Sequence, residues 1–173
     1  MKAQKHIMSY QDIDLDIVEV TLLSAEEYRA YRDIIKPRKD WWWLRSPYSG
    51  YEGSASSVYG YGILSSDNVE NTAVGVSPAL RIRNLESLGM NPGDTFILAG
   101  QAWTVISDEL AQCDDIVGYT AFREDCKAPD ANVYEKSDVK KWIENWASKN
   151  GIEISIAKSV HMLSTRKNAH AIR

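Results

Sequence analysis

Two bulky apolar segments enclose the stretch that most constrains the fold of this chain. The segment WWWLRSP (41–47) precedes the stretch, and GVSPAL (75–80) follows it. Between them, residues 48–74 contain no Lys, Arg, Trp, Met, Gln, His or Phe and are built mostly from Tyr, Ser, Gly, Ala, Val and Asn. Antigen-binding loops favour a similar composition, because Tyr supplies contact area at low entropic cost and Ser, Gly and Asn supply adaptable hydrogen bonds. The sequence therefore predicts a rigid frame around a recognition surface within residues 48–74, called the window below.

Length and charge bound the class of protein. The 173 residues fit a single domain, 1–173, with Gly89 to Gly93 as the candidate seam. A net charge of −4 weighs against non-specific nucleic-acid binding, which needs a basic face. No apolar run approaches the ~20 residues of a membrane span. Met1 to Tyr10 lacks the apolar core of a signal peptide, so neither secretion nor membrane insertion is expected.

Few residues suggest catalytic chemistry. Cys113 and Cys126 lack the spacing of a metal cluster, and the sequence leaves open a reduced intracellular pair or one disulfide. The three histidines are scattered near the termini, and no hydrolase, zinc-protease or nucleotide-binding motif is found. Four carboxylates could ligate a hard cation, although their spacing favours a solvated acidic face: Asp67, Glu70, Asp114 and Asp115. We therefore predict no enzyme, no cofactor and no metal site.

Local signals predict the first strand and helix. Residues 17–22 have the composition of a strand. Ser24 and Glu27 form a capping-box pattern, in which each side chain accepts the other residue's backbone N–H. A helix should therefore run from about residue 25 to 35 and end before Pro37.

Alternation within the window predicts a further strand. Over residues 58–64, Tyr59, Tyr61 and Ile63 fall on one face of an extended chain. The polar cluster at 65–68 predicts a turn. After the window, residues 75–82 predict a strand in which Pro78 occupies an edge or bulge, since it cannot donate to a ladder.

The second half of the chain predicts a hairpin followed by a helix. Residues 95–98 and 103–106 have strand composition around a Gly-containing turn. A helix over about 138–149 has Ser137 as its N-cap and Gly151 beyond its end. Its apolar stripe follows the spacing i, i+3, i+4, i+7: Val139, Trp142, Ile143 and Trp146.

The framing segments resemble a bacterial and phage domain family with the pattern WWLRSP…GVRPAL. Ser77 stands where that family usually has Arg. The family is similar to the C-type-lectin-like fold. The resemblance therefore implies an α+β fold with two main helices and a twisted antiparallel β-sheet.

Some relatives of that fold are the variable proteins of diversity-generating retroelements. In those systems template adenines are randomised, usually within AAC or AAT codons, which then cannot encode Trp, Met, Lys, Gln or Glu. Only Glu52 and Glu70 break this rule within the window. The resemblance implies that variable side chains project from a constant frame, so that sequence change alters binding without unfolding the protein.

The sequence thus predicts a non-enzymatic ligand-binding protein, cytoplasmic or associated with a phage particle. Its partner is an unknown protein or glycan, and its oligomeric state is left open. Arg45 is expected to be a buried frame residue that ties loop carbonyls, with an anion site as the alternative. The alternative function is a structural or assembly module of a phage particle with a fixed aromatic interface. The candidate contact residues are Tyr48, Ser49, Tyr51, Glu52, Ser54, Tyr59, Tyr61, Ser66, Asp67, Asn68, Asn71 and Thr72.

Overall fold

Two β-sheets and two helices build the part of the chain that this computed structural model describes, residues 7–8 and 13–155. The fold is α+β and mainly β, with most strand pairs antiparallel. Two helices and antiparallel pairing agree with the sequence prediction. The interpretation of Met1 to Tyr10 falls almost wholly outside the described residues.

The larger sheet, sheet A, has six strands. Their spatial order is β1 (Ile7–Met8), β8 (Thr95–Leu98), β9 (Gln101–Val105), β10 (Leu110–Cys113), β7 (Ala79–Ile82) and β2 (Ile17–Thr21). The β8–β9 pair is the hairpin that the sequence predicts. The candidate seam at 89–93 lies in the connection between β7 and β8, two strands of this same sheet.

The smaller sheet, sheet B, has five strands and contains the window. Their spatial order is β11 (Gly118–Tyr119), β6 (Gly75–Val76), β3 (Trp42–Pro47), β4 (Ser54–Tyr59) and β5 (Ile63–Asn68). Strands β4 and β5 pair antiparallel from Ser54↔Asn68 to Tyr59↔Ile63 without a break in register. The window therefore folds as a β-hairpin at one edge of sheet B.

Both helices begin at the predicted caps. In α1 (Ala25–Tyr31), Ser24 Oγ accepts from Glu27 N at 3.0 Å and Glu27 Oε1 accepts from Ser24 N at 2.9 Å. This helix ends one turn earlier than predicted, where the chain tightens into a turn in which Ile34 N donates to Tyr31 O at 2.9 Å. The second helix, α2 (Asp138–Lys149), begins where Ser137 Oγ accepts from Lys140 N at 3.1 Å, as predicted.

Sheet B separates two apolar clusters. Trp43 lies in the larger one, where its ring meets Phe122 edge to face at 5.4 Å between centroids. Trp42 lies in the smaller one, beneath α1, with Tyr28 at 5.7 Å. Neighbouring residues of a strand point to opposite faces, so this tryptophan pair anchors β3 from both sides. Helix α2 packs on the larger cluster through Val139, with its two tryptophans partly buried.

The predicted strand over residues 58–64 and the predicted turn over 65–68 are both wrong. The chain reverses in a tight turn at Gly60–Gly62, where Tyr61 has a left-handed backbone with φ 66° and ψ 17°. Residues 65–68 instead belong to β5. A Cβ at Gly60 would lie 2.6 Å from the carbonyl oxygen of Lys39, so glycine is required where the turn meets that segment.

The predicted single strand over residues 75–82 is split at Pro78. Its first part is β6 in sheet B and its second part is β7 in sheet A, so the chain changes sheets at Ser77 and Pro78. Ser77 is fully buried, and its carbonyl oxygen accepts from Gln112 Nε2 at 2.9 Å. A proline fits here because no ladder partner needs its missing N–H.

None of the helices in the described residues has the length and apolar character needed to cross a membrane. Cys113 is buried, Cys126 is half-buried, and both thiols are free.

Candidate recognition surface

Exposed aromatic side chains concentrate in the window. In the described part of the chain, seven large apolar side chains are exposed, and five of them are Tyr48, Tyr51, Tyr59, Tyr61 and Ile63. The framing side chains, by contrast, are at most 1% exposed: Trp42, Trp43, Leu44, Val76, Ala79 and Leu80. Trp41 is half-buried. The contrast matches the predicted division into a frame and a surface.

The candidate contact residues divide into two groups at opposite ends of the β4–β5 hairpin. Tyr59 and Tyr61 lie at its turn, together with Ile63, and this group is called the turn end. The loops at the other end form the second group, the loop end: Tyr48, Ser49, Tyr51, Glu52, Asn68, Asn71 and Thr72. Strand β5 is six residues long, so about 17 Å separate the two groups.

An aromatic cluster forms the turn end. The rings of Trp41 and Tyr59 are 4.3 Å apart between centroids, and Tyr61 projects beyond them with 76% of its surface exposed. Tyr119, on β11, donates its hydroxyl to Asp40 Oδ2 at 2.7 Å, and this hydrogen bond raises the pKa of the phenol. The sequence did not indicate Tyr119, since only sheet pairing brings β11 beside residues 40 and 41.

Backbone contacts with distant residues hold both ends of the hairpin. At the turn end, Tyr28 Oη donates to Gly62 O at 3.0 Å and Tyr61 N donates to Arg38 O at 3.0 Å. At the loop end, the buried Asn132 donates to Tyr51 O at 3.1 Å and to a second window carbonyl at 3.0 Å. These contacts involve the main chain of the window and not its side chains.

The remaining candidate residues differ in exposure. Ser54 is only 6% exposed within β4, so it belongs to the frame and its side chain is not available to a partner. Ser66, Asp67 and Asn71 are half-buried. Asp67 Oδ1 accepts from Asn68 N at 2.8 Å and from Asn71 Nδ2 at 3.0 Å, which orders the loop end from within.

A groove of about 500 Å³ lies between α1 and strands β3, β4 and β5. Hydroxyl groups of three adjacent strands line it, from Ser46, Ser56 and Ser66. Tyr48 contributes to the lining from the loop end, and Arg29 contributes from α1. The groove therefore offers hydroxyls, one aromatic ring and one cation next to the edge of sheet B.

Arg45 joins α1 to the frame. Its Nη1 donates to Leu22 O at 2.7 Å and to Glu27 Oε1 at 2.8 Å, which confirms the predicted bond to a carbonyl, although the side chain is half-buried. Burial alone would raise the pKa of Glu27. Hydrogen bonds from Arg45 and Ser24 and the charges of Arg45 and Arg81 outweigh it, so this pKa lies below its ordinary value.

Arg38 is a buried cation that the sequence analysis missed. Its guanidinium lies 4.5 Å from the centroid of the Trp42 ring and donates to Ser77 Oγ at 2.8 and 3.1 Å. It also donates to the carbonyls of Lys36 and Cys113. Burial lowers the pKa of Arg38 to about 10. The residue thus ties the segment beneath the turn end to the sheet crossover.

The acidic candidates do not come together. In the described residues, no group of three or more His, Cys, Asp or Glu side chains could hold a metal ion. Asp114 instead pairs with Lys36 Nζ at 3.0 Å and accepts from Thr104 Oγ1 at 2.6 Å.

Comparison with known proteins gives one match. Residues 5–84, a little under half of the chain, match the model of a family described as a domain of unknown function (DUF6273). No curated protein and no solved structure matches the chain significantly. The matched segment includes both framing segments and the whole window. The similarity to this family therefore covers the part of the chain that carries the candidate recognition surface.

Proposed function

We propose that this chain is a non-enzymatic ligand-binding protein that displays a Tyr/Ser/Gly/Asn-rich recognition surface on a C-type-lectin-like scaffold. It is similar in this respect to the variable proteins of diversity-generating retroelements. The α+β architecture and the burial of the framing tryptophans support the proposal. So does the cluster of exposed tyrosines, since apolar side chains grouped on a surface mark interaction sites and tyrosine is favoured at binding hot spots.

One observation carries the proposal: residues outside the window hold it in place through hydrogen bonds to its main chain. The donors on Tyr28 and Asn132 and the carbonyl of Arg38 all bond to main-chain atoms of the window. Replacement of an exposed side chain such as Tyr51 or Tyr61 removes none of these bonds. The surface can therefore change its sequence, and with it its partner, while the frame keeps its fold.

Sequencing of the encoding locus across a mixed population tests whether the surface is diversified. We expect substitutions at the codons of Tyr48, Tyr51, Tyr59 and Tyr61, with constancy at the buried Gly60. Exposed positions outside the window provide the matched control: Glu86, Lys141 and Asn145. Equal variation at window and control positions would show ordinary drift of exposed residues and would remove the retroelement interpretation.

A structural or assembly module of a phage particle is the second candidate function. The exposed Ile63 beside Tyr59 and Tyr61 favours it, because an aliphatic side chain 57% exposed suits a constant subunit interface. Sedimentation over a range of concentrations separates the two functions. Oligomers that disappear on combined replacement of Tyr59 and Tyr61 by Ala would support the assembly module.

A further inference from the structure

The outer edge of β5 is open. Sheet B ends at this strand, and β4 is its only strand neighbour in the described part of the chain. The pairing of β4 with β5 is continuous over six positions and contains no bulge. One side of β5 is therefore a regular strand edge available for pairing.

The register identifies which backbone groups point outward. Val69 N donates to Gly53 O at 2.9 Å, so the Val69 N–H points toward β4 and its loop. N–H directions alternate along an antiparallel strand. The N–H groups of Ser65 and Asp67 therefore also point toward β4, whereas those of Leu64 and Ser66 point away from the sheet.

Strand β5 lacks the usual protection of an edge. Proteins blunt exposed edges with Lys, Pro, bulges or very short strands. The sequence of β5, ILSSDN, contains neither Lys nor Pro, and its single charge, Asp67, is engaged by Asn68 and Asn71. An unprotected edge of this length is typical of a surface that a partner covers.

The first and last residues that the structure describes lie at the other sheet. Residues 7–8 pair with β8 at one edge of sheet A. Ser155 N donates to Ile17 O, on the strand at the opposite edge of sheet A, at 2.6 Å. Strand β5 belongs to sheet B, so the first and last described residues both lie at elements other than the open edge.

We propose, building on the recognition function above, that the partner is a polypeptide and that an extended segment of it adds to β5 as a sixth strand of sheet B. The turn end and the loop end lie about 17 Å apart, a distance that one extended segment of six residues spans. One segment can thus contact Tyr61 and Tyr48 together. Its alternate side chains enter the groove lined by Ser66, and the main-chain groups of Leu64 and Ser66 supply the pairing.

Charge defines the partner further. Glu52, Asp67 and Glu70 surround the loop end, and residues 46–80 contain no Lys, Arg or His. No ion pair in the described part of the chain includes Glu52 or Glu70. Opposite charges across an interface steer association and set register. The added strand therefore carries Lys or Arg at the end that lies beside these carboxylates.

A displayed library of random dodecapeptides, panned on the immobilised full chain, tests this proposal. Enriched peptides should have β-branched residues at alternate positions and Lys or Arg near one end. Their affinity should be at least tenfold lower for Ser66→Pro, which removes an outward N–H, than for Ser66→Ala, which loses the same groove hydroxyl but keeps that N–H. Equal affinity of the proline and alanine variants, or the absence of any enriched peptide, overturns strand addition.

Amide hydrogen exchange gives a readout that does not depend on a variant. In the free protein the amides of Ser65 and Asp67 should be protected and those of Leu64 and Ser66 should exchange fast. Addition of an enriched peptide should slow Leu64 and Ser66. Slow exchange of both in the free protein means that the edge is already covered, by a second copy or by the chain's own ends, and overturns the proposal.

A third variant separates this inference from the recognition function. Peptide affinity that falls on combined replacement of Tyr59 and Tyr61 by Ala, but not for Ser66→Pro, retains the recognition surface and rejects strand addition. Affinity that neither variant lowers rejects both.

Discussion

Replacement of Tyr61 by glycine and by alanine separates the role of its side chain from the strain of its backbone. Tyr61 is 76% exposed, so only about a quarter of the 1.5–3 kcal/mol available from burying an aromatic side chain is at stake, about 0.5 kcal/mol. Its φ of 66° is left-handed, which costs a non-glycine residue about 1–2 kcal/mol. The exposed tip of the recognition hairpin is thus strained and contributes little to stability.

The two variants differ in which of these quantities they change. Tyr61→Ala loses the small burial and keeps the strain, so the protein should be about 0.5 kcal/mol less stable. Tyr61→Gly relieves the strain, but the greater entropy of its unfolded chain costs about 0.4–1 kcal/mol. The glycine variant should therefore be more stable than the alanine variant by about 0.8 kcal/mol. Both should abolish binding of an enriched peptide if Tyr61 is a contact residue.

Urea unfolding followed by tryptophan fluorescence measures both free energies. A loss above about 2 kcal/mol for Tyr61→Ala is a core value and would show that this side chain is packed rather than displayed. A glycine variant less stable than the alanine variant would refute the left-handed turn. Ser54→Ala, at a buried candidate position, provides a control that should leave peptide affinity unchanged.

The remaining predictions concern the frame. Gly60→Ala should cost about 2 kcal/mol or more in urea unfolding, because its Cβ would meet Lys39 O at 2.6 Å, and an unchanged midpoint would contradict that close approach. Glu27→Gln should cost up to about 1 kcal/mol at pH 7, because glutamine can keep the capping hydrogen bond but loses the ion pair with Arg45. Since the folded pKa of Glu27 is lowered, this difference should be full above pH 4.5 and vanish as pH falls through the folded value, and a difference independent of pH would exclude the charged pairing. In the native protein one thiol per chain, that of the half-buried Cys126, should react with DTNB at pH 8, because burial raises the pKa of Cys113 to about 12. Two equivalents would place Cys113 at the surface.

Local chemistry made part of the fold predictable. The capping box at Ser24 and Glu27 and the cap at Ser137 are set by residues three or four positions apart, and both appear as predicted. The framing segments were predicted to form a rigid frame, and Trp42 and Trp43 are buried in it. Such features need only neighbours in sequence, so a single chain reveals them.

Tertiary contacts decided the features that the sequence did not reveal. Residues 65–68 have turn composition, yet they form a strand because β4 supplies a continuous pairing partner. Glycines on both sides of Tyr61 gave an alternating pattern that resembled a strand, although they permit a reversal. Arg38 and Tyr119 gained their roles from residues 39 and 79 positions away, at Ser77 and Asp40. Because the sequence placed the turn at residues 65–68, it did not reveal that the contact residues lie at two opposite ends of a hairpin.

The connectivity of the two sheets has a consequence for the order of folding. The β4–β5 hairpin closes a loop of only a few residues, from Val58 to its partner Leu64. Sheet A must instead bring Ile17 to Ile82 and residue 7 to residue 95, so its closure loses far more chain entropy. The slow step of folding is therefore expected in sheet A. Mutation of the exposed residues in the hairpin should leave the folding rate nearly constant, so a population of variants would mature at one common speed.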